Sequence, residues 1–178
     1  MSEGAKGVEE GPSGLERILK YLPSYSGYKE KENRRETNKL IRIKVVASLK
    51  CGIEKLDMAA RATTEERAFD KAKKLDRLNM ILTKLAEKIT HALDGNAHLF
   101  DSIKVKEGDI DNLINNDVSL TETAGKIDEA CLSLLKATNQ REFDSLDDGL
   151  DHVDVLIQQM DNLLARRKEA LPGISDSV

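Results

Sequence analysis

The chain has 178 residues, of which 34% are charged and 3% aromatic, with no Trp and a net charge of −4. This length suffices for one ordinary domain with a real core. Scarce aromatics speak against β-sandwiches and barrels, abundant Leu, Lys, Glu, Asp and Ala favour long helices, and regular apolar spacing speaks against disorder over most of the chain.

Residues 1–12 are mostly Gly, Glu and Lys and read as a disordered tail. Ser13 and Glu16 have the spacing of a capping box. A short amphipathic helix is predicted after it, with Leu15, Ile18, Leu19 and Leu22 on one stripe and Pro23 as its stop. It is too short to be stable alone, because isolated helices under about 12–15 residues are marginal. It must therefore dock on the end of its own bundle, in a groove on a partner, or at a membrane interface. In the last case Arg17, Lys20, Tyr21, Tyr25 and Tyr28 would sit at headgroup level.

The first long helix is predicted from near Tyr28 to about Ala60, with Leu40, Ile43, Val46, Leu49, Ile53, Leu56 and Ala60 as its seam. Gly52 weakens it locally by about 1 kcal/mol relative to Ala. Thr63 and Glu66 give a second capping box. The next helix carries Leu75, Leu78, Leu82, Leu85, Ile89 and Ala92 and stops at Asp94-Gly95-Asn96. Residues 98–107 read as loop or irregular helix. Asp109 caps a third helix with Ile110, Leu113, Leu120, Ala124, Ile127, Cys131 and Leu134 in register. Asp117 interrupts that seam, either fixing register or lying at its edge; a buried functional carboxylate is the alternative. Asn139 and Glu142 form a third capping box before a fourth helix with Phe143, Leu146, Leu150, Val153, Ile157, Met160 and Leu164. This helix ends in Arg166-Arg167-Lys168, where cations suit the negative helix terminus. Residues 172–178 are a tail.

The fold class is therefore all-α: four long antiparallel heptad-patterned helices, as a four-helix bundle or as extended helical hairpins, plus the short N-terminal amphipathic helix. One helical domain spans 13–171 and contains a basic hairpin, 28–94, and an acidic hairpin, 109–170. The charge supports that division. Residues 14–92 carry 19 Lys and Arg against 11 Asp and Glu, a net +8, whereas residues 93–178 carry 8 against 18, a net −10.

Chemistry-bearing motifs are sparse. Cys51 and Cys131 form no CxxC and read as two reduced, buried thiols. His91, His98 and His152 have no metal-ligand spacing, and neither a GxSxG elbow nor a phosphate-cradling Gly-rich loop is present. Asp144, Asp147, Asp148, Asp151, His152 and Asp154 fall on one helix without an EF-hand ladder or the ExxH pairs of di-iron bundles, so they read first as a solvated acidic face and only second as a cation site. No catalytic residue, metal or cofactor is expected. No apolar run is long enough to span a bilayer, Met1-Ser2-Glu3-Gly4 lacks the features of a signal peptide, and Gly is absent at position 2. The expectation is a cytoplasmic protein, with peripheral membrane association as a variant.

The segment Gly27-Tyr28-Lys29-Glu30-Lys31-Glu32-Asn33-Arg34-Arg35-Glu36-Thr37-Asn38-Lys39-Leu40-Ile41-Arg42 is dense in charge. Glu30 and Arg34 attract at i,i+4, while Lys31 with Arg35 and Glu32 with Glu36 repel. Following Tyr21-Leu22-Pro23, it resembles the opening of a family of small, uncharacterised helical prokaryotic proteins. Thr37-Asn38 departs from that family's small residue and acid. The resemblance implies a cytoplasmic, helical, non-enzymatic protein.

The leading functional expectation is an interaction or scaffolding protein that self-assembles or binds a protein partner. Its candidate contacts are Leu15, Ile18, Leu19, Leu22, Tyr28, Arg34, Arg35, Lys39 and Arg42. The alternative is a membrane-surface protein, since a basic hairpin followed by acidic helices is similar in layout to ESCRT-III-like membrane-remodelling proteins. A third reading, nucleic-acid binding through Arg34, Arg35, Lys39, Arg42 and Lys44, is disfavoured by the interleaved glutamates.

Overall fold

The computed structural model describes Leu19 and residues 31–94 and 107–169. Within them the protein is all-α, with four long helices and no strand. These are α1 (Lys31–Glu65), α2 (Phe69–Asp94), α3 (Glu107–Asn139) and α4 (Leu146–Glu169), with a 3₁₀ turn over Phe143–Ser145 leading into α4.

The turn after α1 differs from the capping box expected at Thr63. Thr63 is still helical and buried, and its hydroxyl donates to the Ala59 carbonyl, so it is not available as a cap. The helix instead ends at Arg67, which has φ 60°. The Arg67 N–H bonds the Thr64 carbonyl and the Ala68 N–H bonds the Thr63 carbonyl, the two bonds of a Schellman ending. The expected box at Asn139 and Glu142 fails in the same way. Arg141 has φ 60°, its N–H bonds the Thr138 carbonyl, and the Glu142 N–H bonds the Ala137 carbonyl.

The two turns are thus copies of one another 74 positions apart. The sequence carries the copy as well: Thr64-Glu65-Glu66-Arg67-Ala68-Phe69-Asp70 and Thr138-Asn139-Gln140-Arg141-Glu142-Phe143-Asp144 share Thr, Arg, Phe and Asp in register. The two turns also meet, because Arg141 Nη2 lies 2.7 Å from Glu66 Oε1. Each turn returns the chain along itself, giving one hairpin of α1 and α2 and a second of α3 and α4. The hairpins lie side by side. α1 packs along both α2 and α3, α3 packs along α4, and α2 touches α4 less extensively.

Between α1, α2 and α3 the core contains Ile41, Val45, Leu49, Leu56, Leu75, Leu82, Ile127 and Cys131, and Leu146, Val153, Ile157 and Met160 continue it onto α4. Every expected seam residue of α2 from Leu75 to Ile89 is buried, as are those of α3 from Leu120 to Leu134. The expected seam of α1 is buried at Val46, Leu49, Leu56 and Ala60 but not at its start. Leu40 and Ile43 are 41% and 48% exposed, and Ile41 and Val45 take the inward positions. Gly52 is buried where three helices converge. A Cβ there would stand 3.4 Å from both Cys131 Sγ and Leu82 Cδ2 and 3.8 Å from Ile127 Cγ2.

Candidate interaction surfaces

The first surface lies between the hairpins and is electrostatic. Lys55 of α1 pairs with Asp128 of α3, and Lys71 of α2 pairs with Asp147 of α4. Lys74 reaches the other oxygen of Asp147 at 2.7 Å, and Lys88 meets Asp161 at 2.8 Å. In each pair the cation comes from the basic half and the carboxylate from the acidic half, 73 to 76 positions on. Equivalent helices of the two hairpins therefore run in the same direction with matched register. Four lysines of the basic half and three carboxylates of the acidic half are spent against each other in these pairs.

Asp147 is the centre of this seam. Hydrogen bonds from Lys71 and then Lys74 hold its carboxyl down to about 2, and the same contact raises Lys74. Asp147 belongs to the acidic run read from sequence as a solvated face. Its partners are lysines, and among the described residues no group of three or more His, Cys, Asp or Glu is placed to hold a metal ion. The exposed pairs are screened by solvent and contribute little to stability. Their common direction gives register rather than strength.

The two cysteines separate. Cys131 is fully buried, and burial, with Asp128 adding and Lys55 opposing, pushes its thiol up to about 12. Cys51 is exposed, which corrects the expectation of two buried thiols. It lies on the outward face of α1, with Leu40 and Ile43. Asp117 is fully buried on α3.

The second surface is apolar. Leu40, Ile43, Ala47, Cys51 and Met58 are all exposed and recur at intervals of three, four, four and seven. These intervals place them on one face of α1, opposite the face that carries Ile41, Val45, Leu49 and Leu56. Only Glu54 interrupts this outward stripe. α1 therefore has two apolar faces, one packed in the core and one on the surface. The stripe runs roughly 27 Å from Leu40 to Met58 at about 1.5 Å rise per residue.

Of the contacts expected from sequence, Leu19 is helical, half-buried and packed against the core. Leu15, Ile18, Leu22 and Tyr28 lie outside the described residues. Arg34 and Arg35 lie in α1, Lys39 is exposed on it, and Arg42 is half-buried. The outward stripe was missed because the sequence reading assigned Leu40 and Ile43 to the core. A second apolar set one position out of phase, Ile41 and Val45, was the available signal.

Comparison of the chain with protein-family models, with curated proteins and with solved structures gives no match. No described helix is long and apolar enough to cross a membrane.

Proposed function

We propose that this protein is a non-enzymatic helical scaffold, four antiparallel helices bundled as two charge-matched hairpins, that acts by assembling with itself or with a protein partner. The observation that carries this reading is the second apolar face of α1. A helix that packs in a core needs one apolar stripe, and the other half of its circumference is ordinarily polar. Here Leu40, Ile43 and Met58 remain 41%, 48% and 56% exposed on the far side. Exposed apolar side chains aligned along one helix face mark interaction sites on soluble proteins. Light scattering on the purified chain, with affinity capture from its native host, tests the proposal. A mass above the 19.8 kDa of one chain, or a stoichiometric protein partner, supports it. A single-chain mass at every concentration with no captured protein overturns it.

A second reading is favoured by the cross-hairpin ion pairs. If the basic hairpin serves an anionic membrane surface, the acidic hairpin masks it through Lys55, Lys71, Lys74 and Lys88. Flotation with anionic vesicles separates the two. Failure of both the intact chain and a chain truncated after Gly95 to float removes the membrane reading.

A further inference from the structure

We propose that the bundle is built to open along one edge, between α2 and α4, about a spine formed by α1 and α3, and that lysine–aspartate pairs latch that edge. The edges of the bundle are unlike. α1 and α2 are joined by the Arg67 turn and by Asn79, whose side-chain amide donates to the Ile53 carbonyl at 3.2 Å. α3 and α4 are joined by the Arg141 turn. At Gly149 the backbone of α4 comes so near α3 that a Cβ would stand 2.7 Å from Leu134 Cδ2. α1 and α3 pack tightly at Gly52, where a Cβ would meet Cys131 and Ile127, and Lys55 pairs with Asp128 across them. The contact between α2 and α4 is the least extensive of these. Among the described residues its ion pairs are those of Lys71 and Lys74 with Asp147 and of Lys88 with Asp161.

Side-chain size accounts for the difference. The distance between packed helices is set by the side chains at the contact, and small ones let the backbones approach. α1 and α3 bury Gly52, Ala59, Ala60, Ala124 and Cys131. The hydrophobic residues buried on α4 are Leu146, Leu150, Val153, Leu156, Ile157 and Met160, with no small residue among them. The α2–α4 edge is therefore wide, and long lysine side chains bridge it to short aspartates. Lys74 and Lys88 are 57% and 64% exposed, so salt screens their pairs. Each of these pairs has core residues one helical turn away. Leu78 follows Lys74 and Leu85 precedes Lys88 on α2, and Leu150 follows Asp147 and Ile157 precedes Asp161 on α4. Parting the edge uncovers these residues while both hairpins and the α1–α3 spine stay intact, an opening smaller than global unfolding. The device is independent of what the scaffold binds.

Thiol labelling of the full chain under native conditions tests the latch. Cys51→Ser removes the exposed thiol, Ile157→Cys places a thiol behind the edge, and Cys131 reports on the spine in the same molecule. Mass spectrometry of the separated peptides reads both rates, each normalised to its rate in denaturant. The thiol behind the edge is expected to react at least about tenfold faster than Cys131. That ratio should grow as salt rises from about 0.05 M to about 0.5 M, and again when Asp147→Asn and Asp161→Asn are added. Leu85→Cys approaches the edge from α2 and is expected to give the same result; it replaces Ile157→Cys if circular dichroism shows the latter to be unfolded. Equal rates for the two thiols under every condition would mean that the protein opens only by unfolding as a whole, and would overturn the proposal. A faster Cys131 would move the opening to the spine and overturn it as well. A faster edge thiol whose ratio ignores both salt and the two aspartate variants would overturn the lysine–aspartate latch.

Discussion

Gly52 offers a test in which two substitutions at one position should act with opposite signs. A Cβ at this site meets Cys131 Sγ and Leu82 Cδ2 at 3.4 Å, which is ordinary contact, so Gly52→Ala fits without displacing its neighbours. Replacing a helical Gly with Ala gains about 1 kcal/mol in propensity. The net expectation is a stabilisation of about 0.5–1 kcal/mol, an upward shift of roughly 1–4 °C in Tm for a chain of this size. Gly52→Leu adds three further carbons where α1, α2 and α3 already touch, and overpacking costs about 1–3 kcal/mol or more. Propensity offsets part of that cost, leaving a destabilisation of about 1–2 kcal/mol. Gly125→Ala is the control, because a Cβ there has nothing within 4 Å and only the propensity gain applies. Guanidinium unfolding followed by far-UV circular dichroism reads all three as shifts in midpoint at constant slope. If Gly52→Leu proved as stable as Gly52→Ala, the three helices would not converge at Gly52 and the placement of the second hairpin against the first would be wrong.

Three further outcomes follow from the same structure. Arg67→Gly should stabilise the chain by about 1 kcal/mol in thermal unfolding, since it relieves a non-glycine residue of φ 60° at a helix end. Asp147→Asn should flatten the acid limb of the stability–pH curve. The folded carboxyl is depressed to about 2, so its contribution is present above the unfolded value near 3.9 and is lost as pH falls from about 4 toward 2. Cys131 should resist alkylation until the chain is denatured, because its thiol is buried and pushed up to about 12; labelling counted by mass spectrometry with and without denaturant checks this.

The fold was legible where a helix has one apolar stripe. Spacing alone located the buried residues of α2 and most of those of α3 and α4. On α1 it located Val46, Leu49, Leu56 and Ala60 but failed at the start, where Leu40 and Ile43 offer one inward set and Ile41 and Val45 another. Intervals of three and four can be threaded through either, and only the neighbouring helices decide. The capping boxes failed for a different reason. Thr63 is held inside its helix by its own hydroxyl bond to the Ala59 carbonyl, and the reversal falls to an arginine at positive φ, a position where Gly or Asn is the expected signal. The internal copy was present in the sequence as Thr, Arg, Phe and Asp repeated 74 positions on. Comparing the two halves residue by residue would have placed both turns. The charge imbalance between the halves was legible, but the specific pairing of Lys71 and Lys74 with Asp147 needed the register of the packed hairpins.

Cys51, exposed in the middle of the outward stripe of α1, reports directly on whether that face is where the protein meets a second copy. The decisive measurement is the rate constant for maleimide alkylation of Cys51 in the native chain as a function of protein concentration, with mass followed by light scattering on the same samples. The account predicts that the rate constant falls as the mass rises from one chain toward two, and that Ile43→Asp keeps it high at every concentration. A rate constant that stays unchanged while the mass doubles would contradict it.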